Sequence, residues 1–167
     1  MTQDETIKEA VRKFLPPNYD WRLFKAQLWQ ESRLNPLARS PAGARGAAQI
    51  MPNTWNYIAP KCGHEDSDPY DFTASVEVGA FYLNRMLNKW TAPRPEGDKL
   101  ALALASYNAG FGNMLRAQRV ADGSNNYCDI AQGLPTITGP RNAYETVNYV
   151  QIIVNKYWEY ILKCSDT

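Results

Sequence analysis

A mainly α-helical fold is predicted by three features of this sequence. Apolar residues recur at helical spacing in several segments, an Ala/Leu run at 100–105 lacks β-branched residues, and clusters of Pro, Gly and Asn punctuate the chain between those segments. At 167 residues the chain is expected to form one domain, spanning 1–167, large enough for a real core.

The elements follow in order. Asp4 to Phe14 reads as a short amphipathic helix stopped by Pro16-Pro17. Asp20 is a good N-cap for a helix from Trp21 to about Ser32, ended by Asn35-Pro36. Pro36, Pro41, Gly43 and Gly46 make residues 35–46 a turn-rich segment. Thr54 opens a further short helix, and 60–71 reads as a polar loop. Residues 73–90 give the clearest amphipathic pattern, with Val76, Gly79, Ala80, Leu83, Met86, Leu87 and Trp90 on one face. Asp98 is expected to cap a buried central helix, Leu100 to Tyr107, apolar all round and ending at Asn108-Ala109-Gly110. Phe111 to Val120 reads as helix. Residues 121–142 show no clear period and are expected to form a long binding loop. The last helix, about Ala143 to Leu162, should turn Val147, Val150, Val154, Trp158 and Ile161 inward.

Composition excludes several function classes. The net charge of +1 gives no general electrostatic case for binding nucleic acid. Charge is uneven, with nine basic and five acidic residues in 1–61 against four and seven in 62–99, which reads as ordinary solvated surface. No apolar run approaches a membrane span, and the polar, acidic Met1-Thr2-Gln3-Asp4-Glu5 start does not read as a secretory signal. The expectation is synthesis in the cytoplasm without a signal peptide, or a signal already removed. The three cysteines, Cys62, Cys128 and Cys164, lack metal-ligand or disulfide-framework spacing and read as free thiols. The single histidine, His64, lies in a polar loop, so neither a zinc site nor a Ser-His-Asp triad gains support.

Glu31 stands out. Trp21, Phe24, Leu28 and Glu31 fall at spacings of three, four and three, one face of a helix. A carboxylate aligned with large apolar side chains has either a buried partner or a proton affinity raised by desolvation. The second property suits a general acid near neutral pH.

Four ordered blocks carry a family resemblance. They are Gln30-Glu31-Ser32-Arg33-Leu34-Asn35-Pro36; Ser40 to Thr54, holding Gly43, Gly46 and Gln49-Ile50-Met51-Pro52; Ala105-Ser106-Tyr107-Asn108-Ala109-Gly110; and Glu145-Thr146 followed by Tyr149-Val150. In this order and at these separations the chain resembles the catalytic domain of the soluble-type lytic transglycosylases, over roughly Trp21 to Val150. Two departures stand out. Bulky apolar residues usual before the glutamine are Ala47 and Ala48 here, which is expected to soften a groove wall. An Asn-Ile pair usual before the glycine of the long helix is Ser75-Val76.

The resemblance implies a mainly α, lysozyme-like single domain with a substrate groove. It implies cleavage of the β-1,4 bond between N-acetylmuramic acid and N-acetylglucosamine in bacterial peptidoglycan glycan strands, without water, leaving a 1,6-anhydro sugar. Glu31 would protonate the glycosidic oxygen and then take the proton from the C6 hydroxyl. One carboxylate suffices where glycosidases use two, because the nucleophile is intramolecular. No cofactor or metal is implied, and the partner is the wall polymer alone, met by a monomer without nucleic acid or membrane insertion. By position, Ser40 resembles a contact to the muramic sugar, Gln49 the amide that bonds the N-acetyl group, and Met51 a subsite wall. Tyr107 resembles the tyrosine that positions the reacting sugar, Asn108 shapes its turn, and Glu145 matches a glutamate lining the groove.

Structural readings compete for several of these residues. Ser32 reads as back-bonding its helix end, Gly43, Gly46 and Gly110 as turn residues, Asn108 as a C-cap, Met51 as core or wall, and Tyr144 and Tyr149 as packing aromatics. Two other functions stand against the first. One is a goose-type lysozyme-like hydrolase using water, with Asp68, Asp71 or Glu145 as second carboxylate. The other is a non-catalytic wall-binding component. A small catalytic domain without signal or anchor resembles a phage endolysin acting at the wall, with a virion-associated lysin or a trimmed bacterial enzyme as alternatives.

Overall fold

Helices make up the architecture, and those that begin at Gln3, Trp21 and Tyr127 start on a side-chain cap. The computed structural model describes residues 1–163, so Cys164 lies outside the described residues. The order is α1 (Gln3–Phe14), α2 (Trp21–Ser32), α3 (Pro52–Ile58), a 3₁₀ turn (Ala59–Cys62), α4 (Phe72–Lys89), α5 (Glu96–Ala109), α6 (Phe111–Val120), α7 (Tyr127–Thr138) and α8 (Pro140–Lys163). Contacts group these residues into two units, Met1–Asn84 with the segment from Ile153, and Arg85–Ile152.

In the first unit, α1 starts with a capping box in which Thr2 and Glu5 satisfy each other's backbone N–H groups. Its Ile7, Ala10 and Val11 are buried, as are Leu23, Phe24, Ala26 and Leu28 of α2, and the two helices touch. Asp20 caps α2 by accepting from Arg22 N at 2.9 Å, as the sequence predicts. The Arg22 guanidinium bonds the same carboxylate and holds it below its ordinary proton affinity. Tyr157 of the C-terminal segment donates to Asp20 at 3.1 Å. Phe14 meets Phe81 edge-on, with centroids 5.7 Å apart. The first half of α4 buries Val76, Val78, Ala80 and Leu83 completely.

In the second unit, α5 is the buried helix the Ala/Leu run predicts, with Leu102 to Tyr107 all buried. It starts at Glu96, earlier than expected, and Pro95 occupies the cap position. Asp98 instead accepts from Tyr127 N at 2.9 Å, tying α5 to the start of α7. Trp90 Nε1 donates to the buried Ser106 hydroxyl at 3.0 Å, which donates in turn to Leu102 O at 2.6 Å.

Residues 121–142 do not form a long loop. Asn126 accepts from Cys128 N and Asp129 N and starts α7. Pro135 sits inside that helix. Its ring and the polar positions break the periodicity that sequence reading relies on, while Ile130 and Leu134 are buried through contact with α6. Gly133 is the point of closest approach. A Cβ there would lie 2.6 Å from Ala117 O, so no larger residue lets α6 and α7 meet this way.

Other expectations need adjustment. The proline at N1 starts α3 at Pro52 rather than Thr54. The 60–71 segment begins inside the 3₁₀ turn. On α8, Val150 is buried but Val147 and Trp158 are 38% and 55% exposed; the buried positions are Ala143, Thr146, Tyr149, Val150 and Ile153. The helix turns a different face inward because a buried threonine and tyrosine carry part of it, and an apolar-only pattern misses both.

Candidate active site

The first unit assembles four of the predicted residues on one short stretch of chain. Glu31 is half-buried in the last turn of α2. The helix ends abruptly because Arg33 and Leu34 both adopt left-handed backbone, φ 59° and 61°. The Arg33 guanidinium then folds back over the Trp29 ring, 3.3 Å from its centroid, with Lys156 of the C-terminal segment 4.3 Å from that centroid.

Ser32 does more than back-bond its own helix. Its hydroxyl lies 3.3 Å from Leu28 O and 2.8 Å from Ala47 O. That second bond ties the residue after Glu31 to the turn before Gln49. The segment it reaches is a small, tightly wound hairpin. Arg45 pairs with both Arg39 and Ile50, and Gly46 N bonds Ala38 O at 2.9 Å. Ser40 closes the tip, its hydroxyl accepting from Ala44 N at 3.0 Å.

Gln49 has φ 49°, a left-handed conformation that costs a glutamine of the order of 1 kcal/mol. Its amide nitrogen donates to Ala38 O and Gly46 O, at 3.2 and 2.9 Å, which directs its carbonyl oxygen away from these bonds. Three of the four non-glycine residues with positive φ among the described residues, Arg33, Leu34 and Gln49, flank this stretch. Met51, at the cap of α3, is 43% exposed, so it is a surface side chain rather than core.

Ala47 and Ala48 are fully buried, so the departure from bulky residues falls in the interior rather than on an open wall. Ser75, the other departure, is buried against them and accepts from Ala48 N at 3.1 Å. A Cβ on Gly46 would lie 2.6 Å from that hydroxyl and 2.0 Å from Pro69 O. Sequence reading found Gly46 as a turn residue but not this close approach.

The second unit holds the rest. Tyr107 is 8% exposed in the last turn of α5. Asn108 is exposed and sits within α5, and Gly110 rather than Asn108 caps that helix. Its Oδ1 accepts from the Thr146 hydroxyl at 2.8 Å, which joins the third and fourth sequence blocks directly. Asn108, Asn142, Glu145 and Thr146 line one concavity of about 270 Å³. Glu145 pairs with Arg141 at 3.4 Å, an exposed bridge of little energetic weight. Tyr149 is 5% exposed, in keeping with a packing role, whereas Tyr144 is 69% exposed.

The two aspartates considered for activating water serve the backbone. Asp68 accepts from Tyr70 N at 2.9 Å and Asp71 from Ala74 N at 2.7 Å at the head of α4. His64 bonds Ser67 through Nδ1 and Glu77 through Nε2, both at 3.0 Å, and Glu77 also pairs with Lys13 at 2.7 Å. With a lysine on the same carboxylate, this chain clasps the 64–67 turn to α4 and α1. Cys62 is half-buried and its thiol, desolvated and near Glu77, is pushed up to about 11, which keeps it protonated at neutral pH. No group of three or more potential metal ligands exists among the described residues, and no described helix is long and apolar enough to cross a membrane.

A family model described as the transglycosylase SLT domain matches residues 8–129. The chain belongs to that family. Similar relatives carry the name membrane-bound lytic murein transglycosylase F. That of Pectobacterium atrosepticum is 31% identical over 90% of this chain and 33% of its own length. That of Yersinia pestis is 32% identical over 80% of this chain and 29% of its own. The SLT domain described here thus spans about a third of the curated relatives it matches. Among solved structures, the 70 kDa soluble lytic transglycosylase of Escherichia coli matches 95% of this chain and 24% of its own, with a TM-score of 0.71 at 22% identity. The mainly helical, lysozyme-like fold of an SLT domain is therefore established for this chain.

Proposed function

We propose that this SLT domain is a peptidoglycan lytic transglycosylase that cleaves the bond between N-acetylmuramic acid and N-acetylglucosamine without water. The observation that carries this reading is the strained stretch around Glu31. A half-buried carboxylate ends a helix whose next residue is bonded to Ala47 O, and non-glycine residues in left-handed backbone lie on both sides of that link. Strain of this kind persists where the surroundings over-determine a geometry, which is common at catalytic sites. The names of the relatives, lytic murein transglycosylases, agree with it.

In this mechanism Glu31 gives its proton to the glycosidic oxygen as the C–O bond breaks. The carboxylate left behind accepts the proton of the C6 hydroxyl, whose oxygen closes on the anomeric carbon. The proton count balances and Glu31 returns to its starting form. Because the nucleophile belongs to the sugar, its effective concentration is high and no second carboxylate is required. Gln49, whose carbonyl oxygen takes no part in the two bonds of its amide nitrogen, is suited to accept from an N-acetyl N–H. Ser40, Met51, Tyr107, Asn108 and Glu145 are proposed as further substrate contacts, with Met51 supplying apolar wall and Asn108 and Glu145 sharing one concavity. The engagement of Asp68 and Asp71 with backbone N–H groups favours this reading over a water-using hydrolase.

Mass spectrometry of fragments released from purified peptidoglycan tests it. The expected products are lighter by one water than hydrolysis products and resist borohydride. Reducible muramic ends would mean that water is the nucleophile.

A further inference from the structure

A second cavity lies in the first unit, behind the hairpin that carries Gln49, and none of the residues proposed to touch the glycan is on its lining. It has a volume of about 340 Å³ and is lined by Arg45, Trp55, Asn56, Glu65, Asp66 and Ser67, among others. That is the lower end of the range for small-ligand sites, enough for one or two amino-acid residues.

Its lining carries both signs of charge. Lys13, Arg22 and Lys25 each have a carboxylate within 3 Å. The cavity contains a guanidinium and two carboxylates, yet none of the three is in an ion pair among the described residues. Arg45 Nε is buried with no hydrogen-bond partner. That nitrogen is closed off from solvent, so a ligand would meet the terminal nitrogens of the guanidinium instead. The backbone around Arg45 is fixed by its pairing with Arg39 and Ile50. Ser67, next to the exposed Glu65 and Asp66 on the lining, is held by its bond to His64, which in turn bonds Glu77. The backbone under Arg45 and the turn at Ser67 are thus held before any ligand arrives, which lowers the entropic cost of binding.

One cationic donor and two anionic acceptors on one cavity suit a ligand carrying both signs. We propose that this cavity binds a zwitterionic amino-acid group, its carboxylate on Arg45 and its ammonium on Glu65 and Asp66. Trp55 and the neighbouring prolines, Pro52, Pro60 and Pro69, supply apolar wall for the aliphatic part. Resting on the function proposed above, the natural source is the peptide stem of the wall. An amino acid whose side chain ends in an ammonium and a carboxylate on one carbon, as in meso-diaminopimelate, has the required pattern. The cavity would then read the peptide while Glu31 acts on the glycan.

The test uses free tripeptides with no glycosidic bond, so it does not depend on Glu31 chemistry. Two stems are titrated into the full chain by calorimetry or NMR, one ending in meso-diaminopimelate and one in lysine, which has the ammonium but not the carboxylate. The diaminopimelate peptide should bind at least about tenfold more tightly. Arg45→Gln should abolish that preference, and the Glu65→Gln, Asp66→Asn double variant should weaken both peptides. Unchanged thermal midpoints check that each variant is folded. If Arg45→Gln does not fold, the comparison of the two peptides on the unaltered chain still decides. Equal binding of both, or no binding of either at millimolar concentration, would overturn the proposal. Peptide binding without wall cleavage would instead count against the transglycosylase reading alone.

Discussion

The stretch from Glu31 to Met51 and the stretch from Tyr107 to Glu145 are built by different means. In the first, backbone geometry does the positioning. Left-handed residues, a hairpin tied by backbone bonds between Ala38 and Gly46 and between Arg45 and Ile50, and a buried glycine fix where Glu31, Ser40 and Gln49 sit. In the second, regular helices do it, and the link between the two sequence blocks is one side-chain bond from Thr146 to Asn108. The lesson concerns tolerance. Geometry stored in backbone has few alternatives, so small changes should be costly there. Geometry carried by side chains on helices should degrade gradually.

The comparison can be broken at its most sensitive point first. Glu31→Gln keeps the shape of the side chain and removes the proton. Wall cleavage should fall by roughly 10²–10⁴-fold, the usual contribution of a general acid, with the thermal midpoint unchanged. Cleavage at a near-normal rate in that variant would remove Glu31 from the mechanism. By contrast, Glu145→Gln, at an exposed position, should lower the rate far less.

Two glycines in close contact with a backbone oxygen differ in their own backbone conformation. Gly46→Ala combines φ 76° with a Cβ placed 2.0 Å from the backbone oxygen of Pro69. Backbone strain and overpacking together should destabilise the chain by about 2–6 kcal/mol. Gly133→Ala meets Ala117 O at 2.6 Å, but in ordinary helical backbone. Overpacking there is offset in part by the helix propensity of alanine, for a net loss of about 1–2 kcal/mol. Chemical denaturation of both variants measures the difference. Equal losses would mean that the hairpin can relax and that its backbone is less constraining than its hydrogen bonds suggest.

The same contrast explains what could be read in advance. Asp20, the apolar face of α4 and the Ala/Leu run each carry a local signal, and the structure follows them. The Glu31 and Gln49 blocks were legible only as a family resemblance, since nothing local announces left-handed backbone at Arg33, Leu34 or Gln49. The α7 helix was not, because Pro135 and Gly133 read as breakers. What makes them acceptable is packing on α6, and that contact is invisible to local pattern. Asp98 was misread for the same reason, since its partner Tyr127 N lies far along the chain. The clasp of His64 with Ser67, Glu77 and Lys13 joins three separate segments and left no motif at all.

That clasp provides the smallest expected effect. Burial raises the proton affinity of Glu77, but hydrogen bonds from Lys13 and His64 outweigh it and hold the carboxyl below its ordinary value of 4.5. A carboxyl with a lowered folded value stabilises the chain at pH above its unfolded value. That contribution is lost as pH falls through the folded value, so the window lies below about 4.5. Lys13 is half-exposed and partly screened, so the contribution should stay under about 1 kcal/mol and shrink further in high salt. In Lys13→Met the thermal midpoint should therefore drop less steeply on acidification than in the unaltered chain, while the two converge at low pH. If the acid slopes are identical, Glu77 is held by His64 alone, and the 64–67 turn depends on one partner rather than two.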